Sequence, residues 1–155
     1  MLKIEIPGGD TLQAEWLLLD FNGTLAQDGR LLPGVGERLR QLATFMKVVV
    51  LTADTFGGAS EELKGLPLEL RALPAQGQDA AKRDAANEHA GGVFAIGNGC
   101  NDALMLAAAD LGLCVIQAEG AATDAMNAAD VVCTSILAAL DLLLHPKRLQ
   151  ATLRR

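Results

Sequence analysis

Trp16-Leu17-Leu18-Leu19-Asp20-Phe21-Asn22-Gly23-Thr24-Leu25 holds the reading of the whole chain. Its first four residues are apolar without interruption and the fifth is an acid. A strand buried on both faces reads this way when its C-terminal end opens into a site. Gly23 lets the backbone turn sharply, and the Thr24 hydroxyl can cap that turn or hold Asp20. A carboxylate at a strand end can attack phosphorus if a divalent cation neutralises the incoming oxygens. Taken alone, the same residues fit an ordinary loop that closes a strand.

Upstream, Leu2, Ile4 and Ile6 alternate with polar neighbours, and Pro7-Gly8-Gly9-Asp10 precedes a second extended run over 11–14, which predicts an N-terminal β-hairpin. Downstream, Gln27-Asp28-Gly29-Arg30 carries an Asp-Gly turn signal, so a small flap should project beside the end of the first buried strand. Pro33-Gly34 then leads into Val35, Leu39 and Leu42 at helical spacing, followed by a β-rich run over 47–51 that ends at Thr52. The alternation continues with helices predicted over 57–64, 78–90, 101–109 and 121–128, and strands over 68–72, 93–96, 111–115 and 131–133. Pro146 should break the last helical stretch. Strands alternating with helices imply right-handed βαβ units, hence an α/β Rossmann-like three-layer sandwich around a central parallel sheet. No linker, repeat or low-complexity tract interrupts it, so residues 1–155 read as a single domain.

In such sheets the polar residues that end the strands converge on one edge, where ligands bind. Asp20, Thr52 and the Gly97-Asn98-Gly99 turn are all strand-end features. Thr52, with the backbone N–H of Ala53 beside it, can hold a phosphoryl oxygen, although Thr52 or Asp54 could equally cap the next helix. Lys82, on the helix before strand 93–96, could balance negative charge gathered around Asp20, or lie on a solvated surface. Gly97-Asn98-Gly99-Cys100-Asn101-Asp102 follows a strand and opens a helix. Its glycines allow close backbone approach, and Asn98, Asn101 and Asp102 offer oxygens to a hard cation such as magnesium, unless they only cap the helix.

In this order, the four elements resemble the haloacid dehalogenase (HAD) superfamily, whose members carry a DxDGT-like loop, a strand-end Thr or Ser, a Lys and a GDGxND-like loop. The resemblance spans about residues 16–132, and GNGCNDALML is its most specific part. Within the superfamily the chain looks closest to soluble proteins related to the phosphorylation domain of P-type ATPases. The resemblance implies Asp20 as nucleophile, Thr52 as phosphate-binding hydroxyl and Lys82 as charge-balancing amine. It implies Mg2+ held by the Asp20 carboxylate, the Asn22 backbone carbonyl and position 98, with Asp102 in support, while Gly23, Thr24, Ala53 and Asn101 line or brace the phosphate site. Asn22 stands where most HAD phosphatases carry the Asp that protonates the leaving group, and Asn98 replaces a metal-binding Asp. Slow turnover and weak magnesium affinity are therefore expected.

Neither gap between motifs is long enough for a cap domain, so substrate choice falls to the flap, to a neighbouring subunit in a homo-oligomer, or to a macromolecular substrate. Nothing resembles the nucleotide-binding domain or membrane helices of a pump. The formal net charge of −6 disfavours a nucleic-acid partner and repels phosphorylated substrates at long range, which again points to a cation and local donors. Cys100, Cys114 and Cys133 are odd in number and lack CxxC spacing, so a reducing, cytoplasmic setting is expected, with no leader and no membrane span. His89 and His145 read as surface helix residues. Two functions follow: a magnesium-dependent phosphohydrolase acting on a small phosphorylated substrate or phosphoprotein through an aspartyl-phosphate, or a catalytically silent phosphate-sensing or protein-binding module of the same fold.

Overall fold

The computed structural model describes residues 1–54 and 57–155. Six of the apolar runs pair as one parallel sheet: β3 (Trp16–Asp20), β6 (Lys47–Thr52), β7 (Glu69–Ala72), β8 (Val93–Gly97), β9 (Leu111–Val115) and β10 (Val131–Cys133). Their spatial order is β10-β9-β8-β3-β6-β7. From β3 the chain winds first through β6 to β7, then returns to β8 on the other side of β3. The topological switch point therefore lies between β3 and β8. Register puts Leu19 opposite both Val50 and Ile96, so Asp20 ends its strand beside Leu51 and next to Gly97.

Side chains alternate strictly across this sheet, which accounts for three layers. Leu17 and Leu19, Val48 and Val50, and Phe94 and Ile96 face one side, while Leu18, Val49, Leu51, Val93 and Ala95 face the other. The first side is covered by α1 (Val35–Leu42), α6 (Ile136–Leu144) and α7 (Pro146–Leu153). An antiparallel hairpin of β1 (Leu2–Glu5) and β2 (Thr11–Ala14) adds Leu2, Ile4 and Ala14 to it. The second side is covered by α3 (Gln78–Glu88), α4 (Ala103–Ala108) and α5 (Thr123–Ala128), whose buried faces hold Ala85, Ala86, Met105, Leu106 and Ala125. Small residues let α3 pack closely against α4 on this side. Arg38 and Asp141 tie α1 to α6 through two hydrogen bonds of 2.7 and 3.1 Å.

The fold class, the absence of a cap and the N-terminal hairpin are as the sequence predicts. The flap is also present, as β4 (Ala26–Gln27) and β5 (Arg30–Leu31), with Asp28 and Gly29 at φ 50° and 76°. Element ends differ. The helix expected over 78–90 stops at Glu88, because His89 is extended and Gly91 and Gly92 take φ values of 94° and 85°. The helix expected over 101–109 begins as a 3-10 turn, Cys100–Asp102, before α4. The helix expected over 57–64 shortens to α2 (Gly58–Glu62). Pro146 does end α6, but it also starts α7 at a first-turn position where its missing N–H costs nothing. His89 is not a plain surface residue: its ring stacks on Trp16 at 3.9 Å. Among the described residues no helix is long and apolar enough to cross a membrane.

Candidate functional site

Beyond the C-terminal ends of β3, β6 and β8 lies an open cleft of ≈ 390 Å³. Asp20 reaches it from β3, Thr52 from β6 with Ala53 just beyond, and Asn98, Gly99 and Asn101 from the loop after β8; Asn22 and Lys82 complete the walls. The residues that the sequence proposed as meeting therefore do meet. Asp54 and Gln78, which do not read as site residues from sequence, line the same cleft.

Lys82 is the centre of the arrangement. Its ammonium, 1 % exposed, donates to Asp20 Oδ1 at 2.7 Å and to Asp102 Oδ1 at 2.6 Å. The lysine is thus no solvated helix residue; it lies on the buried face of α3 together with Ala85 and Ala86. Burial would depress its pKa, but the charges of Asp20 and Asp102 and their hydrogen bonds outweigh burial and hold it above the usual lysine value. Two carboxylates against one ammonium leave an excess negative charge. Burial, and next the Asp102 charge, push the Asp20 carboxyl up to about 6, against the lowering pull of Lys82 and Thr24.

From sequence alone, Asp102 reads as a support for the cation. It is fully buried, and its second oxygen accepts the backbone N–H groups of Asn98 and Gly99, both at 2.9 Å. Both oxygens are engaged, so Asp102 acts by holding the loop and the ammonium rather than by facing the cleft. Gly97 makes room for it: a Cβ there would lie 2.5 Å from the Asp102 carboxyl carbon.

The nucleophile loop is wired in the same manner. The Thr24 hydroxyl, fully buried, lies 2.9 Å from Asp20 Oδ2 and 3.2 Å from Asn98 Oδ1. Asn98 Nδ2 donates to the Gly120 carbonyl at 3.1 Å. That carbonyl can only accept, so the amide fits here where an ionised Asp would place oxygen against oxygen. Thr52 Oγ1 accepts the Asp54 N–H at 3.1 Å, and Asp54 Oδ2 accepts the Ala59 N–H in the first turn of α2. The capping alternative thus belongs to Asp54, which leaves the Thr52 hydroxyl hydrogen available to a ligand. Asn101 donates to Gln78 Oε1 at 2.9 Å. Gln78 stands one helical turn before Lys82, and that i, i+4 spacing was the signal that could have found it.

Gly23, at φ 80°, is boxed in: an added Cβ would meet Asn98 Nδ2 at 2.5 Å, Glu119 Oε2 at 2.6 Å and Asn98 Oδ1 at 2.9 Å. Gly23→Ala therefore combines a left-handed backbone with a clash. A loss of about 2 kcal/mol in urea unfolding is expected, together with a displaced loop. A variant within about 0.5 kcal/mol of wild type would show that this loop yields freely.

Comparison with known proteins agrees with this fold. No protein-family model matches the chain. The uncharacterized protein MJ0073 of Methanocaldococcus jannaschii is 53 % identical over 62 residues, covering 40 % of this chain and 67 % of that protein. Among solved structures, 3-deoxy-D-manno-octulosonate 8-phosphate phosphatase from Moraxella catarrhalis, in complex with magnesium ion, phosphate ion and KDO, superposes with a TM-score of 0.69 at 13 % identity, over 85 % of this chain and 86 % of that one. A zinc-transporting PIB-type ATPase in its E2.Pi state superposes with a TM-score of 0.60 at 26 % identity, over 79 % of this chain but only 20 % of the pump. The chain belongs to the same family as MJ0073, and its fold is the capless Rossmann-like fold of the HAD hydrolases, shared with a segment of a P-type ATPase.

Proposed function

We propose that this protein is a magnesium-dependent phosphohydrolase that acts on a small phosphomonoester through an aspartyl-phosphate at Asp20. The observation that carries the reading is the buried Asp20–Lys82–Asp102 triad at the floor of the switch-point cleft. A structural ion pair would sit in the core with matched charge. This one keeps an unmatched carboxylate at a cleft, with its pKa raised, and perturbed acids in clefts favour functional sites.

The donors fit magnesium. The Asp20 carboxylate, the Asn22 carbonyl and the Asn98 amide oxygen are hard oxygen ligands, and the excess negative charge suits a cation that keeps several waters. Magnesium, when bound, supplies neutralisation of the phosphoryl oxygens. The protein's residues do the rest. An Asp20 oxygen forms the bond to phosphorus while the bond to the leaving oxygen breaks. Lys82 and the Thr52 hydroxyl, with the Ala53 N–H, stabilise the charge on the equatorial oxygens. Thr24 holds the second Asp20 oxygen in place. Water then attacks phosphorus, and the Asp20–phosphorus bond breaks to release inorganic phosphate.

Asn22 cannot give a proton to the leaving oxygen or take one from water, so solvent serves both steps. Asn22→Asp is therefore expected to raise kcat about 10²- to 10⁴-fold on substrates with poor leaving groups. It should do much less on p-nitrophenyl phosphate, whose leaving group needs no proton. Equal gains on both substrate types would place the effect in the water-attack step that they share, and no gain on either would show that position 22 does not manage the proton.

The reading is tested by incubating wild type with phosphomonoesters and magnesium, quenching in acid, and mapping any phosphorylated peptide by mass spectrometry. Phosphate on the peptide that contains Asp20, and phosphate release, are expected. Tight phosphate binding without any covalent adduct or turnover would instead establish the silent phosphate-sensing module.

A further inference from the structure

The nucleophile loop is not held by its own backbone alone. Gln117 lies in the loop after β9, 93 residues from Thr24, yet its side-chain Nε2 donates to the Thr24 carbonyl at 2.9 Å and to the Gly23 carbonyl at 3.2 Å. Its Oε1 accepts the N–H of Ile136 at 2.8 Å, the first residue of α6. That N–H has no partner inside its helix and must be met from outside. A carbonyl only accepts and an N–H only donates, so one orientation of the amide satisfies all three contacts and the flipped one satisfies none.

The same short turn closes a circuit. The Gly120 N–H donates to the Gln117 carbonyl at 2.8 Å, the Gly120 carbonyl accepts Asn98 Nδ2, and the Ala122 N–H donates to the Asn98 carbonyl at 2.8 Å. Asn98 in turn shares the Thr24 hydroxyl with Asp20. Gln117 thus grips the loop from the carbonyl side while Asn98 grips it from the hydroxyl side, and the 117–120 turn joins the two grips.

We propose that Gln117 is a positioning residue for Asp20: its amide clamps the Gly23 and Thr24 carbonyls and so fixes the two peptide planes that flank Thr24 and aim its hydroxyl at the Asp20 carboxylate. This rests on the phosphohydrolase reading for its functional consequence but not for its structural one. Gln117 does not line the cleft, so it acts on the reaction only through the loop.

The test uses the whole 155-residue chain as Gln117→Glu, Gln117→Met and wild type. Glutamate keeps the shape and the acceptor for Ile136 but turns the donor into an oxygen facing two carbonyls, while methionine keeps the bulk and removes every hydrogen bond. Hydrogen–deuterium exchange without magnesium is read at the loop amides of Gly23 to Ala26, which are bonded within the loop, and at interior amides of β6 as a control. Both variants should exchange the loop amides about tenfold faster with the β6 amides unchanged. On p-nitrophenyl phosphate with magnesium, kcat should fall about tenfold or more with KM within about twofold, the signature of misplaced machinery rather than lost binding. Loop protection that stays at wild-type values in Gln117→Glu would overturn the clamp, whatever the activity. Faster loop exchange in a protein whose wild type neither turns over nor is phosphorylated would uphold the clamp and sink the phosphohydrolase reading instead.

Discussion

Lys82→Met is expected to destabilise the protein by about 3–5 kcal/mol, the largest stability loss of any single exchange in the site. The ammonium is buried at the floor of the cleft and meets Asp20 and Asp102 at 2.7 and 2.6 Å. Methionine matches its length and suits the apolar stem. Removing the charge, however, leaves two carboxylates facing each other in a site from which Asp102 cannot reach water, since it is fully buried. Breaking one partner of a buried ionic cluster costs more than the cluster contributes intact, because the survivors stay desolvated and unpaired. Urea unfolding at pH 7 should show the midpoint fall with the m-value unchanged. Adding Asp102→Asn to Lys82→Met should recover part of the loss, because the amide keeps acceptor and donor capacity without a charge. Lys82→Arg should not rescue, since the planar guanidinium needs a wider pocket than a buried ammonium site offers. A loss under about 1 kcal/mol for Lys82→Met would mean that water enters freely and that the cluster is not the buried device described. The alkaline limb gives an independent check. Because the lysine pKa is raised, its contribution is complete below the ordinary value of 10.5 and disappears only as pH climbs through the raised one.

How this cluster forms was only half legible in the sequence. That Asp20, Thr52 and the 97–99 turn share one edge follows from parallel strands alternating with helices, because every such strand delivers its last residue to the same side. The buried strands were legible for the same reason: WLLLD and KVVVLT are apolar on both faces. Lys82 was ambiguous because one charged residue in an Ala-rich helix has the same local appearance on either face, and only the packing of Ala85 and Ala86 decides which. Asp102 read as a ligand because sequence shows the residue type and not where its two oxygens go. Gln117 was invisible. A lone glutamine in a loop carries no periodic signal, and two of its three partners lie more than 90 residues away. Helix ends at His89 and Asp102 were misplaced where a glycine pair or a 3-10 turn overrides propensity. Local chemistry thus found the groups, whereas long-range hydrogen bonding decided their roles.

Asp20→Asn should separate activity from stability. Turnover with magnesium is expected to fall by about 10⁴-fold or more, since an amide is too poor a nucleophile toward phosphorus for the remaining machinery to compensate. The metal-free variant should nevertheless gain on wild type as pH rises. An aspartate whose folded pKa is raised from 3.8 to about 6 holds its proton longer in the native state than in the unfolded chain. Between those two values the native state binds more protons, so wild-type stability falls with increasing pH. The fall amounts to about 3 kcal/mol once pH exceeds 6, and asparagine, which does not titrate, escapes it. Urea unfolding of both proteins in chelator from pH 4 to pH 7.5 reads the difference directly, with the Asp20→Asn curve flatter and crossing above wild type. Magnesium should then reverse the order, because a cation that binds the native state stabilises it in proportion to its occupancy, and Asp20→Asn has lost the charged ligand. If wild type and variant run parallel across that pH range, the carboxylate is not held at a cost and the excess negative charge in the cleft is neutralised by some other group. If they diverge but magnesium leaves the order unchanged, the strain at Asp20 is real and the cation is not what relieves it.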